Sequence, residues 1–186
     1  MSVSNHLQSM DVQVLIKGDT APAYIDASLS TKDGWRGGQW VVYTSNTYGN
    51  EKNIRVVGLS DGNKAVGFIL RGSNFHPNAQ TPGGPDLRVS EYNYSSYAPL
   101  NSKIVTIAFD GSYIFKMYEK YAFPNRSSGT ELTYNLSDSL YLSDRGLFTT
   151  FADAQNAGIA NPVMVGFCWM IPSEDNNYSI GVDIER

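Results

Sequence analysis

A chain of 186 residues fits one domain or, less readily, two small ones, and is long enough to bury a substantial core. Hydrophobic residues make up 41% and charged residues only 17%, the opposite of the balance that keeps a chain disordered. The formal net charge of −4 comes with no run of Lys or Arg, so neither composition nor clustering favours a phosphate backbone, and direct nucleic-acid binding is not expected.

The first residues, 1–10, are polar and carry no basic-then-apolar leader, so they are expected to form a flexible arm rather than a signal peptide. No window approaches the ~18 consecutive apolar residues of a membrane span, and one cysteine, Cys168, allows no internal disulfide framework. Synthesis and folding in a cytoplasm are expected, which leaves the Asn-x-Ser sequons at Asn93, Asn125, Asn135 and Asn177 as polar loops.

From residue 11 onward the chain reads as a single β domain. Val12, Val14 and Ile16 alternate with other residues, as a half-buried strand requires. Further strands are expected at 23–29, 39–44, 54–59, 65–70, 103–109, 113–119, 131–136, 139–143, 163–170 and 179–184. In the last, Ile180, Val182 and Ile184 share one face, opposite Gly181, Asp183 and Glu185. Asp61-Gly62 and Asp110-Gly111 each separate two such runs, which predicts an antiparallel hairpin at both, because Gly tolerates positive φ. No apolar stripe recurs at helical spacing over three turns, and 149–158 reads as a loop. The spacing of strands and turns gives an all-β fold, an antiparallel β-barrel or β-sandwich.

Two further features stand out. Ala65-Val66-Gly67-Phe68-Ile69-Leu70 resembles Met164-Val165-Gly166-Phe167-Cys168-Trp169, and each follows a strand-like run, at 39–43 and 139–143; a weak internal duplication would account for this, but apolar strands often combine Val, Gly and Phe and that is the plainer explanation. Residues 71–99 form a long loop insertion with four prolines and the aromatic residues Phe75, Tyr92, Tyr94 and Tyr97. Loops of that length are functional or disordered, and amphipathic tyrosines are enriched at interfaces. Phe75, His76, Tyr92, Tyr94 and Tyr97, with Trp35 between Gly34 and Arg36, are therefore the expected partner-contact residues.

Catalytic and metal-binding signals are weak. His6 and His76 have no neighbours at ligand spacing, so no metal site and no cofactor are expected. Cys168 lies in an apolar run and reads as a core residue rather than a nucleophile. No Gly-x-Ser-x-Gly is present, and Gly34, Gly37 and Gly38 do not sit where a phosphate-binding turn would. Glu174-Asp175-Asn176-Asn177 could offer oxygen ligands to a hard cation, but a solvated loop after Pro172 explains it as well. Carboxylates brought together only by the fold remain open as a hydrolase alternative. No catalytic residue is assigned, and an enzyme is not expected.

The C-terminal third runs Asp138-Ser139-Leu140-Tyr141-Leu142-Ser143-Asp144-Arg145-Gly146-Leu147-Phe148-Thr149-Thr150, then Asn161-Pro162-Val163-Met164-Val165-Gly166-Phe167, then Ile171-Pro172-Ser173 and Ile180-Gly181-Val182-Asp183-Ile184. This pattern, over residues 137–185, resembles the head-decoration (capsid cement) and head-fibre proteins of tailed bacteriophages. Phe167-Cys168-Trp169-Met170 is bulkier than the aliphatic strand of that pattern, and 71–99 has no counterpart in it. The resemblance implies a β-tulip-like domain on the outer capsid surface of the virion. It also implies that the protein bridges subunits of the major capsid protein and assembles with itself as a homotrimer or other homo-oligomer, with no catalytic residue to carry over. The alternative from another class is a carbohydrate-binding or receptor-binding fibre domain, with Trp35, Trp40 or the loop tyrosines stacked on sugar rings; Trp40, in an alternating strand, reads more readily as core, and Trp35 as the better exposed of the two.

Overall fold

The computed structural model describes residues 12–26, 37–48, 50–71 and 104–185. The expected arm at 1–10 and the loop beyond residue 71, with Trp35, Phe75, His76, Tyr92, Tyr94 and Tyr97, lie outside the described residues. The strands are β1 (Val12–Lys17), β2 (Thr20–Ile25), β3 (Trp40–Tyr48), β4 (Glu51–Leu59), β5 (Gly67–Arg71), β6 (Ile104–Ala108), β7 (Gly111–Phe115), β8 (Ser139–Leu142), β9 (Phe148–Thr149), β10 (Met164–Met170) and β11 (Ile180–Ile184). Among the described residues a helix, α1 (Phe151–Asn156), and a 3-10 turn at Glu174–Asn176 complete them. The expected all-β class is correct.

Five strands close a barrel in the order β2-β4-β3-β5-β6, and six form a sheet in the order β1-β7-β11-β10-β8-β9. The two are joined by one long antiparallel ribbon. β1 pairs with β7 in the sheet, and β2 pairs with β6 in the barrel, from Lys17 opposite Gly111 to Thr20 opposite Ala108. The ribbon passes from sheet to barrel at Gly18-Asp19 and Phe109-Asp110. There Asp110 Oδ1 accepts from the Asp19 N–H at 2.6 Å, and the Tyr113 hydroxyl donates to the Asp110 carbonyl at 2.8 Å.

That crossing corrects one expected hairpin: Asp110-Gly111 turns the chain out of the barrel and into the sheet, so β6 and β7 are not paired with each other. Asp61-Gly62 is also a turn without a hairpin, because β3 lies between β4 and β5. Both glycines do take positive φ, 118° at Gly111 and 87° at Gly62, so the local reading was right and the pairing wrong. The barrel is also not wholly antiparallel, since β2 and β4 run parallel at Tyr24 and Ile25.

Alternation along the barrel strands builds two cores. Val41, Ile69, Val105 and Ile107 point into the barrel with Ala21, Ala23 and Val57. Their neighbours Trp40, Phe68 and Ala108 point out, onto Tyr113, Phe115, Leu140, Phe148, Ile180 and Val182 of the sheet. Phe68 sits among three rings, with centroids 5.5 Å from Trp40, 4.9 Å from Tyr113 and 5.0 Å from Phe115. Strands buried on both faces need continuous apolar runs, which is why 65–70 lacks a polar position and why Thr106 is the one polar residue of β6. Cys168 and Trp40 are both core residues.

The resembling segments occupy matching places. β5 pairs antiparallel with β3, and β10 with β8. Phe68 stands opposite Trp40 and Gly67 opposite Val41, while Phe167 stands opposite Ser139 and Gly166 opposite Leu140. Each central strand then pairs antiparallel with a later one, β6 or β11.

Other expectations are corrected. The strand at 23–29 begins earlier, at Thr20. Residues 131–136 form no strand: a lone bridge joins Glu131 to Tyr121, Tyr134 is buried and Leu136 is exposed. In β1 only Val12 is buried; Val14 is 42% and Ile16 68% exposed, because β1 edges the sheet and a register shift falls between them. Gly181 is buried rather than outward, since the Trp169 ring lies where its Cβ would be. Residues 149–158 hold a helix, not a loop. Thr150 caps it by accepting from the Asp153 N–H at 3.3 Å. At its other end Gly158, at φ 84°, donates to Gln155 and Ile159 donates to Ala154, the pair of bonds that ends many helices.

Candidate functional site

The chain between β7 and β8 leaves the sheet and returns, and its side chains build a charged cluster under the turn that follows β8. The main chain at Tyr118-Glu119 runs beside Phe148, with the Glu119 N–H donating to the Phe148 carbonyl at 2.8 Å. This extended stretch sends Glu119 inward, where its side chain is 0% exposed. The Ser143 hydroxyl donates to Glu119 Oε1 at 2.7 Å, and Arg145 donates through Nε at 3.0 Å and through Nη2 to Oε2.

Arg126 is the second centre, with a side chain only 7% exposed. Its Nη1 donates to Asp153 Oδ2 at 2.7 Å and lies 3.7 Å from Glu119 Oε2, and its Nη2 donates to Asp144 Oδ1 at 2.9 Å. Its buried Nε has no partner among the described residues. Asp153 is the third residue of α1, placed to turn back on the helix end; its carboxylate is used elsewhere. It accepts from the Phe123 N–H at 2.7 Å and the Thr149 hydroxyl at 2.7 Å as well as from Arg126. Burial pushes the Asp153 carboxyl up, but those three donors outweigh it and hold the group below the usual carboxylate range. The Tyr134 hydroxyl, pushed well up by burial, donates to the Glu119 carbonyl at 2.6 Å.

The two buried carboxylates, Glu119 and Asp153, are thus each matched to a guanidinium and a hydroxyl donor. Such an arrangement fixes the excursion, the 143–149 turn and α1 to one another. A charged pair buried this well is costly to break, because either partner alone is left unpaired.

Next to this cluster, where Tyr141 pairs with Thr149 and Phe151 opens α1, lies an exposed apolar patch. The Tyr141 and Phe151 rings are 5.0 Å apart, and Met164 stands opposite Tyr141 in the β8–β10 pairing. Phe151 is 45% and Met164 48% exposed. None of these three was expected as a contact residue, and the sequence held only a faint sign of them: apolar side chains at the ends of elements, just beyond a helix cap or strand start. Of the Glu174–Asn177 group, Asn176 is committed internally, its Oδ1 accepting from the Ser173 N–H at 2.9 Å and its Nδ2 donating to the Ile171 carbonyl at 2.7 Å. No cluster of three or more potential metal ligands occurs among the described residues.

Comparison with protein families, with curated proteins and with solved structures finds no match to this chain.

Proposed function

We propose that this chain is a structural protein of a tailed-phage virion, binding the outer capsid surface and holding neighbouring subunits of the major capsid protein together. The observation that carries the reading is the patch of Tyr141, Phe151 and Met164, which falls inside the stretch resembling decoration proteins and includes the first residue of α1, a helix that Asp153 ties to Arg126. Aromatic side chains and Met are enriched at protein interfaces, and a rigid support lowers the cost of ordering them on binding. A protein that binds only the assembled shell stabilises it by mass action, without chemistry. The tyrosines of 71–99 and Trp35 belong to the same proposal as further contacts, and self-association as a homotrimer or other oligomer would multiply them.

The test is to mix purified protein with expanded, undecorated capsids of the virus that carries the gene, and to measure co-sedimentation. Stoichiometric binding is expected, weakened about tenfold or more in a Phe151→Ala, Met164→Ala double variant that keeps its fold. Absence of binding at micromolar concentration would overturn the reading.

A further inference from the structure

A second surface stands apart from this patch, on the outer side of the excursion. Around Glu119 the chain is extended, so Tyr118 and Lys120 point away from the buried ion pairs. Tyr118 packs edge-on against Tyr134, with centroids 5.5 Å apart, and closes the floor. Above it, the Lys120 ammonium lies 5.0 Å from the centroid of the Tyr178 ring and 5.4 Å from that of Tyr121. Glu131 pairs with Lys120 at 3.4 Å, and the Tyr178 hydroxyl donates to Glu174 Oε1 at 3.1 Å. Tyr178 is 47% exposed.

The backbone holds this ring out at a cost. Asn177 and Tyr178 take φ of 53° and 52°, two successive left-handed residues, neither of them glycine. A Tyr at positive φ is unfavourable and persists only where the surroundings impose it. Here the Tyr178 N–H donates to the Ser173 carbonyl at 2.7 Å and the Asn177 N–H to that of Glu174 at 3.1 Å. A Gly would take this turn freely, but would display no ring.

We propose that Tyr178, Tyr121 and Lys120, rimmed by Glu131 and Glu174, form a binding platform for a pyranose-containing oligosaccharide. A pyranose presents a flat face of C–H groups bordered by hydroxyls that donate and accept. The platform offers the complement: the half-exposed Tyr178 ring with the partly buried Tyr121 ring, a cationic donor over one face of each, and the carboxylates of Glu174 and Glu131 beside them. An apolar peptide would instead ask for aliphatic side chains among the rings, and none of the five residues is aliphatic. The site is open rather than enclosed, so weak binding to repeated units of a polymer is expected. It is independent of the capsid reading: the residues differ, and either activity can exist without the other.

The experiment is a glycan array spanning bacterial surface and animal oligosaccharides, followed by calorimetric titration of the hits. The wild type should bind a pyranose-containing subset. Tyr178→Ala should lose about tenfold in affinity, the worth of one stacking contact, while Tyr178→Phe keeps most of it. Should Tyr178→Ala fail to fold, ring resonances of the wild type decide: bound sugar should shift those of Tyr178 and Tyr121. A wild type that binds no glycan, hits bound equally by folded Tyr178→Ala, or shifts confined to other rings would each overturn the proposal.

Discussion

At Asp153 a single carboxylate answers a buried guanidinium, a hydroxyl and a main-chain N–H at once. Replacing it with Asn removes the charge but not the volume, leaving Arg126 buried with less compensation. A destabilisation of roughly 3 kcal/mol is expected, as for other buried pairs that lose one member, read from the urea midpoint of Asp153→Asn against wild type. The same residue predicts a response to acid. Its carboxyl is held below the ordinary range in the folded state, so the folded chain takes up its proton less readily than the unfolded chain does. Its contribution is therefore full above the ordinary carboxylate pKa and is lost as pH falls through the lowered folded value. Urea midpoints between pH 7 and pH 3 should drop less steeply in Asp153→Asn than in wild type. Parallel curves would mean that this group does not drive the acid response. None of this was visible along the chain, where Glu119, Arg126, Arg145 and Asp153 are separate, unremarkable charges.

For the elements, the lesson lies in two glycines with similar φ. Gly62, at 87°, turns the chain between β4 and β5, and a Cβ there would press on the carbonyl oxygens of Leu142 and Ser143 at 2.8 and 2.9 Å as well as on Ile159. Gly158, at 84°, ends α1, and a Cβ there meets nothing within 4 Å. Gly158→Ala should cost about 1 kcal/mol, the conformational preference alone. Gly62→Ala should cost clearly more, since it adds a clash with main chain that cannot move aside. Equal losses in thermal melts of the two variants would remove packing from the account of Gly62. The helix that Gly158 ends could have been read from Thr150, Asp153 and Ala157-Gly158-Ile159: a cap, an acidic third position and a terminating glycine. At two turns it was too short to show an apolar stripe. Leu132, Tyr134 and Leu136 misled in the opposite way, alternating like a strand while the chain around them finds only a lone bridge.

Over the whole molecule, barrel and sheet share Phe68. Its neighbour Ile69 fills the barrel while its own ring fills the interface with the sheet, and the bent ribbon β1–β2/β6–β7 belongs to both. Unfolding is expected to be one cooperative transition, with tryptophan fluorescence and circular dichroism changing together. Phe68→Ala should lower stability by about 3–5 kcal/mol and shift both signals equally. Two separated transitions would show that barrel and sheet unfold independently. By itself the sequence determined the class of fold, the approximate places of most strands and the turns at Asp61-Gly62 and Asp110-Gly111, because alternation and positive φ are local demands. Only the tertiary structure decided which strands pair across those turns, where Arg126 finds its carboxylates and which rings reach the surface. Pairing and ion contacts are made between residues far apart in the chain, and no local preference encodes which of several suitable partners arrives.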